Sequence, residues 1–182
     1  MDEMEEGINL QGTDETAVGN EDRPQFLALN MSGVAGLIKT TRRYVAEGHG
    51  DSDAVVQRLA EDFAYIHLDD VRNPLKFFAQ MEGAPPIRLG TGGFRQELID
   101  DRNPARHYMA FVAMGYWLPK FLALIVLYAW EMLGFVRYGF KWSAADMRCG
   151  MAGLKHGNAV RRHGVEVLPE LMVRDLAAED SV

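Results

Sequence analysis

Between Ala110 and Trp130 the chain carries a single charged side chain, Lys120, directly after a proline, Pro119. No other feature constrains the fold as strongly. A bilayer core needs about 20 consecutive apolar residues, and this run has the length. It lacks the continuity: a cation at mid-depth costs about 2.5 to 3.5 kcal/mol on insertion scales, and proline removes a helical hydrogen bond at the same place. Glu131 closes the run, so the uninterrupted part from Phe121 to Trp130 is too short to span. Two helices meeting at Pro119, each buried in a protein core, avoid both costs. The wider apolar centre, Tyr108 to Phe140, is therefore expected to form a helical hairpin inside one domain. Membrane association is the competing expectation, supported by Trp117 and Trp130 at belt-like positions and by Arg137 and Lys141 on the C-terminal flank.

A chain of 182 residues, 48% hydrophobic, can bury one medium core and hardly two. The expected fold is all-α: a single compact helical domain over residues 25–178 behind a disordered acidic tail, residues 1–24. The tail rests on charge. Residues 2 to 22 contain Asp2, Glu3, Glu5, Glu6, Asp14, Glu15, Glu21 and Asp22 with no Lys or Arg, and few bulky apolar groups offset the ordering entropy. The net charge of -7 disfavours nucleic acid as a partner, although the segment from Arg137 to His163 is basic, with Arg137, Lys141, Arg148, Lys155, Arg161 and Arg162 against Asp146 alone. A lone Cys149 excludes an intrachain disulfide. With no secretory leader pattern at the N-terminus, the expected location is cytoplasmic, with membrane association as the variant.

Periodicity places the helices. Val34, Leu37, Ile38, Thr41 and Val45 recur at helical spacing after Ser32, a capping residue, and before Gly48; Val55, Val56, Leu59, Phe63 and Ile66 do so after a Gly-Asp-Ser turn. Asn73-Pro74 and Asn103-Pro104 are matching helix-start signals, each preceded by paired aspartates. The first predicts a short helix from Pro74 to Glu82. Ala84 to Gly93, rich in Pro and Gly, reads as an irregular loop with a brief strand at Ile87 to Leu89, and as a candidate lid. Ser143 followed by Asp146 predicts another helix start, along which Gly150, Gly153 and Gly157 share one face and permit close backbone approach. A last segment, Leu168 to Leu176, is expected to dock through Leu171, Met172 and Val173.

The chemistry-bearing residues gather at the start of the apolar centre. Asp100, Asp101, Asn103, Arg106 and His107 bring both charge signs and an imidazole to one helix N-terminus, where dipole and desolvation favour the neutral ring. Glu131, in apolar surroundings, is suited to general acid work unless a cation neutralises it. A hairpin turning at Pro119 has arms of similar length, which brings His107 and Glu131 toward the same end. The bland alternatives are an Arg106 ion pair, a core histidine and a paired glutamate. Lys155, His156, Arg161 and Arg162, with His163, read as a solvated basic face able to meet an anionic surface. His156 and His163 are seven residues apart, which is not a metal-ligand spacing.

There is no Walker loop, zinc-finger cysteine set, nucleophile elbow or dinucleotide fingerprint, so no cofactor or metal is expected. Without a complete catalytic set, the leading expectation is a helical interaction module with a protein partner, its access tuned by the acidic tail. One rival is a hydrolase or transferase using His107 as base, Asp100 or Asp101 to orient it and Glu131 as the second acid or base. The other is a protein bound to an anionic membrane surface through residues 108–140.

Overall fold

The computed structural model describes residues 33–67, 85–100, 102–137 and 143–179. The acidic tail, Ser32, the helix expected at Pro74 to Glu82 and Asp101 lie outside the described residues, as do Lys141 and Trp142. Among the described residues the secondary structure is helical, with one isolated antiparallel bridge, Phe94 to Ala177. The α-helices among the described residues are, in order, α1 (Gly33–Gly48), α2 (Ser52–Leu59), α3 (Pro104–Trp117), α4 (Lys120–Arg137), α5 (Ala144–His163) and α6 (Leu168–Leu176).

The all-α core has α3 at its centre. Every residue from Tyr108 to Gly115 is buried, because α3 is covered on all sides by α1, α2, α5 and the first turns of α4. Its most extensive partner is α5, and glycine explains why. A methyl group added to Gly157 would collide with the Val112 carbonyl oxygen, and one added to Gly153 would stand 2.6 Å from the Tyr108 oxygen. Gly115 returns the relation against the backbone of Leu154. Backbone meets backbone along this seam, so only hydrogen fits at these positions.

α1 and α2 form from the expected apolar positions: Val34, Leu37, Ile38 and Thr41 are buried on α1, and Val55, Val56 and Leu59 on α2. Asp51 caps α2, its carboxylate accepting from the Ala54 N–H at 3.1 Å. The helix then widens into a π turn, Ala60–Ala64, that buries Phe63 and ends where Tyr65 takes a left-handed conformation. Tyr44 on α1 donates to Asp62 at 2.6 Å, while the Arg58 guanidinium lies 3.8 Å above its ring. These contacts tie the α1–α2 pair together.

Residues 85–95 depart from expectation. No strand forms at Ile87 to Leu89, and the segment is not a free lid. Its backbone is bonded on several sides: Ile87 N to Asp62 O at 3.0 Å, Gly33 N to Leu89 O at 2.6 Å, Val34 N to Gly92 O at 2.9 Å and Ala178 N to Gly93 O at 2.8 Å. Leu89 and Phe94 are buried. The loop thus caps the first turn of α1 with its own carbonyls.

Pro119 breaks the apolar run as expected, with α3 ending at Trp117 and α4 starting at Lys120. The second expectation for this run, that both arms are buried, is corrected. α4 buries Ala123, Leu127 and Glu131, yet Phe121, Ile125, Tyr128, Met132 and Leu133 are each more than half exposed. Among the described residues no helix is long and apolar enough to cross a membrane. Ser143 caps α5 by accepting from Asp146 N at 2.9 Å. α6 docks through Leu168, Met172 and Leu176, with Leu171 and Val173 at the margin of the contact.

Candidate functional site

His107 stands one turn into α3, and Glu131 three turns into α4, twelve positions on either side of Pro119. The hairpin brings them together: His107 Nε2 lies 3.4 Å from Glu131 Oε1, with side chains only 13% and 7% exposed. α5 passes close beside them because its residue there is Gly150; a methyl on it would sit 3.2 Å from His107 Nε2. The ring of Phe111, one turn along α3, is tilted against the imidazole with 4.9 Å between centroids. Three helices and the segment entering α3 therefore enclose one acid–base pair in apolar surroundings.

The electrostatics are unusual for a paired carboxylate. Burial pushes the Glu131 carboxyl up to about 7, and the negative charges of Asp146 and Asp100 push in the same direction. A glutamate serving only as a structural anion would be surrounded by cations. Here two further carboxylates approach it, one from the first turn of α5 and one from the segment before α3. Asp100 is thus part of the site's field, and Asp146 joins it as a residue the sequence reading missed. Sequence placed Asp146 in the first turn of α5, but which side chains face that helix end is not a local property. Asn103 and Arg106 belong to the same corner. Asn103 precedes Pro104 at the helix start, and its backbone oxygen accepts from Arg106 N at 3.0 Å, but its side chain does not cap the first turn. Cys149 is buried and its thiol donates to the Pro104 carbonyl at 3.6 Å, consistent with a packing role. Among the described residues no group of three or more His, Cys, Asp or Glu side chains has an arrangement that could hold a metal ion.

His156 requires a correction. Read from sequence as part of a solvated basic face, it is fully buried. Its Nε2 is 2.8 Å from Asp175 Oδ2 and its Nδ1 is 2.7 Å from the Tyr108 hydroxyl. The carboxylate fixes the tautomer: Nε2 carries the proton and donates to Asp175, so Nδ1 accepts from Tyr108. Arg174 holds Asp175 well below the usual carboxylate range, with help from His156 and Lys155, while burial pushes the Tyr108 phenol well above its ordinary value. The chain Tyr108, His156, Asp175 bolts α3, α5 and α6 together. The periodicity of α5 carried the signal, because His156 stands three residues after Gly153 and four before Val160, in the buried stripe.

His156→Phe is expected to cost about 2 to 3 kcal/mol, since it leaves the Tyr108 hydroxyl buried without an acceptor. Chemical denaturation of this variant and of the double variant with Tyr108→Phe checks the claim: the second substitution removes the orphaned hydroxyl and should recover part of the loss. Burial lowers the affinity of His156 for a proton. Its stabilising contribution is therefore complete above the unfolded value of about 6.5 and declines as pH falls below it.

The remaining basic residues separate. Arg161 Nη1 donates to the Leu118 carbonyl at 2.8 Å and so closes the C-terminal end of α3. Lys155 and Arg162 are exposed and, with Arg95, Lys120, His163 and Asp175, line a groove of 680 Å³ between α4 and α5, whose apolar wall is Leu124, Met151 and Leu154. Asp175 is the one carboxylate in this lining, and it is already engaged by Arg174, Lys155 and His156. Comparison of the chain with known protein families, with curated proteins and with solved structures found no match.

Proposed function

We propose that the chain is an acid–base enzyme of the hydrolase or transferase class, with the His107–Glu131 pair as its proton-transfer centre. The observation that carries this reading is the 3.4 Å separation of His107 Nε2 and Glu131 Oε1 within a nearly dry corner. A carboxyl poised at about 7 gives and takes a proton near neutral pH, which is the condition for efficient general acid–base catalysis. In this reading Glu131 is the titrating acid or base and His107 its proton partner. Asp100 and Asp146 are positioning residues that act through the field they impose on Glu131.

The reading is tested by following hydrolysis of chromogenic ester, phosphodiester and glycoside substrates by the full chain. His107→Gln and Glu131→Gln are each expected to lower any activity found by about 10² to 10⁴-fold, the usual weight of a general acid–base group, while far-UV circular dichroism stays unchanged. Activity that survives both substitutions removes the proposal.

The exposed apolar stripe of α4 supports a second reading, an interaction module. Four large apolar side chains on one helix face, Phe121, Ile125, Tyr128 and Met132, make a patch of the kind that marks a binding surface on soluble proteins. The two readings concern opposite sides of α4 and are compatible: the inward face holds Glu131, and the outward face is left for a partner.

A further inference from the structure

We propose that the outward face of α4, together with the cations of the adjoining groove, docks on an anionic lipid surface; the proposal names the partner for the interaction-module reading and rests on it. Phe121, Ile125, Tyr128 and Met132 follow one another at four-, three- and four-residue steps, so they form a single stripe about 16 Å long. Leu133 widens it at one end and Leu122 at the other. A soluble surface helix normally turns charged residues outward. From Phe121 to Leu133 the one charged group is Glu131, and it is turned inward against His107. The outward face is therefore apolar without interruption.

Charge identifies the occupant. Lys120 opens α4, and the groove that begins there carries Lys155, Arg162, His163 and Arg95. Lys120 and Arg162 have no ion pair or hydrogen bond among the described residues. Its one carboxylate, Asp175, is already bound by three cationic or imidazole partners. Lys155 is paired with Asp175, which leaves Lys120 and Arg162 as the cations open to a partner; an apolar stripe flanked by such cations is the pattern of a helix lying in a bilayer interface, its side chains in the acyl boundary and its cations at anionic headgroups. A second copy of the chain that met this face stripe to stripe would bring the same cations against it. The helix is not long and apolar enough to cross the bilayer, which leaves it lying in the plane of the surface.

Flotation of the full chain with vesicles of phosphatidylglycerol and phosphatidylcholine, compared with phosphatidylcholine alone, tests the assignment. The expected result is binding to the anionic vesicles that weakens at high salt. Ile125→Glu, at a position 59% exposed and so tolerated by the fold, should lower the partition coefficient at least tenfold, and Tyr128→Ser serves as a second variant on the same stripe. Lys120→Ala with Arg162→Ala should cost about fivefold per cation on anionic vesicles and nothing on neutral ones. Absence of binding to anionic vesicles overturns the proposal, as does native-like binding by both stripe variants. Sedimentation equilibrium separates a lipid surface from a second copy of the chain. A dimer that Ile125→Glu dissociates, without vesicle binding, gives the face to a second copy and overturns the lipid assignment while the interaction reading stands.

Discussion

Gly157→Ala should lower the melting temperature by about 10 °C. The substitution is one that helix propensity favours by about 1 kcal/mol, so an ordinary exposed site would gain stability. At Gly157 the new methyl meets the Val112 carbonyl, the Tyr116 amide and the Gly115 backbone. None of these is the flexible end of a side chain. The α3 and α5 backbones must move apart, and overpacking of this kind costs about 1 to 3 kcal/mol, more where backbone is the obstacle. A net loss of about 3 kcal/mol corresponds to about 10 °C in a domain of this size. Gly150→Ala provides the contrast. Its methyl meets the ends of the Leu127, His107 and Phe111 side chains, which can rotate away, so the stability loss is smaller while His107 is displaced from Glu131. Calorimetry of the two variants checks the ordering; a neutral or stabilising Gly157→Ala would mean that the two backbones are not in contact.

That seam shows which parts of the fold were legible. Gly150, Gly153 and Gly157 announced a close helix approach because their spacing of three and four puts them on one face whatever lies opposite. Pro119 and Ser143 announced boundaries because their chemistry is local. Similar arm lengths about Pro119 placed His107 and Glu131 toward the same end, but their contact depends on how the arms pack, which spacing does not give. What failed was non-local or lacked a phase. The loop at residues 85–95 is fixed by bonds to Asp62, Gly33, Val34 and Ala178, partners that no local pattern specifies. α4 is apolar on every side, so its sequence could not tell the inward stripe of Ala123 and Leu127 from the outward one of Phe121 and Ile125. His156 was misplaced because its charge class outweighed its position in the buried stripe of α5.

The raised Glu131 carboxyl gives the fold a pH dependence of unusual sign. A buried carboxyl raised to about 7 makes the folded chain hold a proton that the unfolded chain releases at about 4.5. Folding stability is then complete below pH 4.5 and falls as pH rises through 7, by about 2 to 3 kcal/mol for a group this buried. The cost exists chiefly because burial strips water from the Glu131 carboxylate, and the like charges of Asp146 and Asp100 add to it. Natural chains retain such a penalty where function requires it and remove it elsewhere. Glutamine has the shape of the protonated acid and carries no charge, so Glu131→Gln should be the more stable protein above neutrality.

Thermal melts of the native chain and Glu131→Gln across pH 4 to 9 test the proton-transfer centre most directly. The two curves should coincide near pH 4, diverge from about pH 4.5 and level off above pH 7, with the glutamine variant melting about 5 to 10 °C higher at pH 8. A variant less stable than the native chain throughout that range would show Glu131 to be the anion of a structural ion pair, and the acid–base assignment of His107 and Glu131 would be wrong.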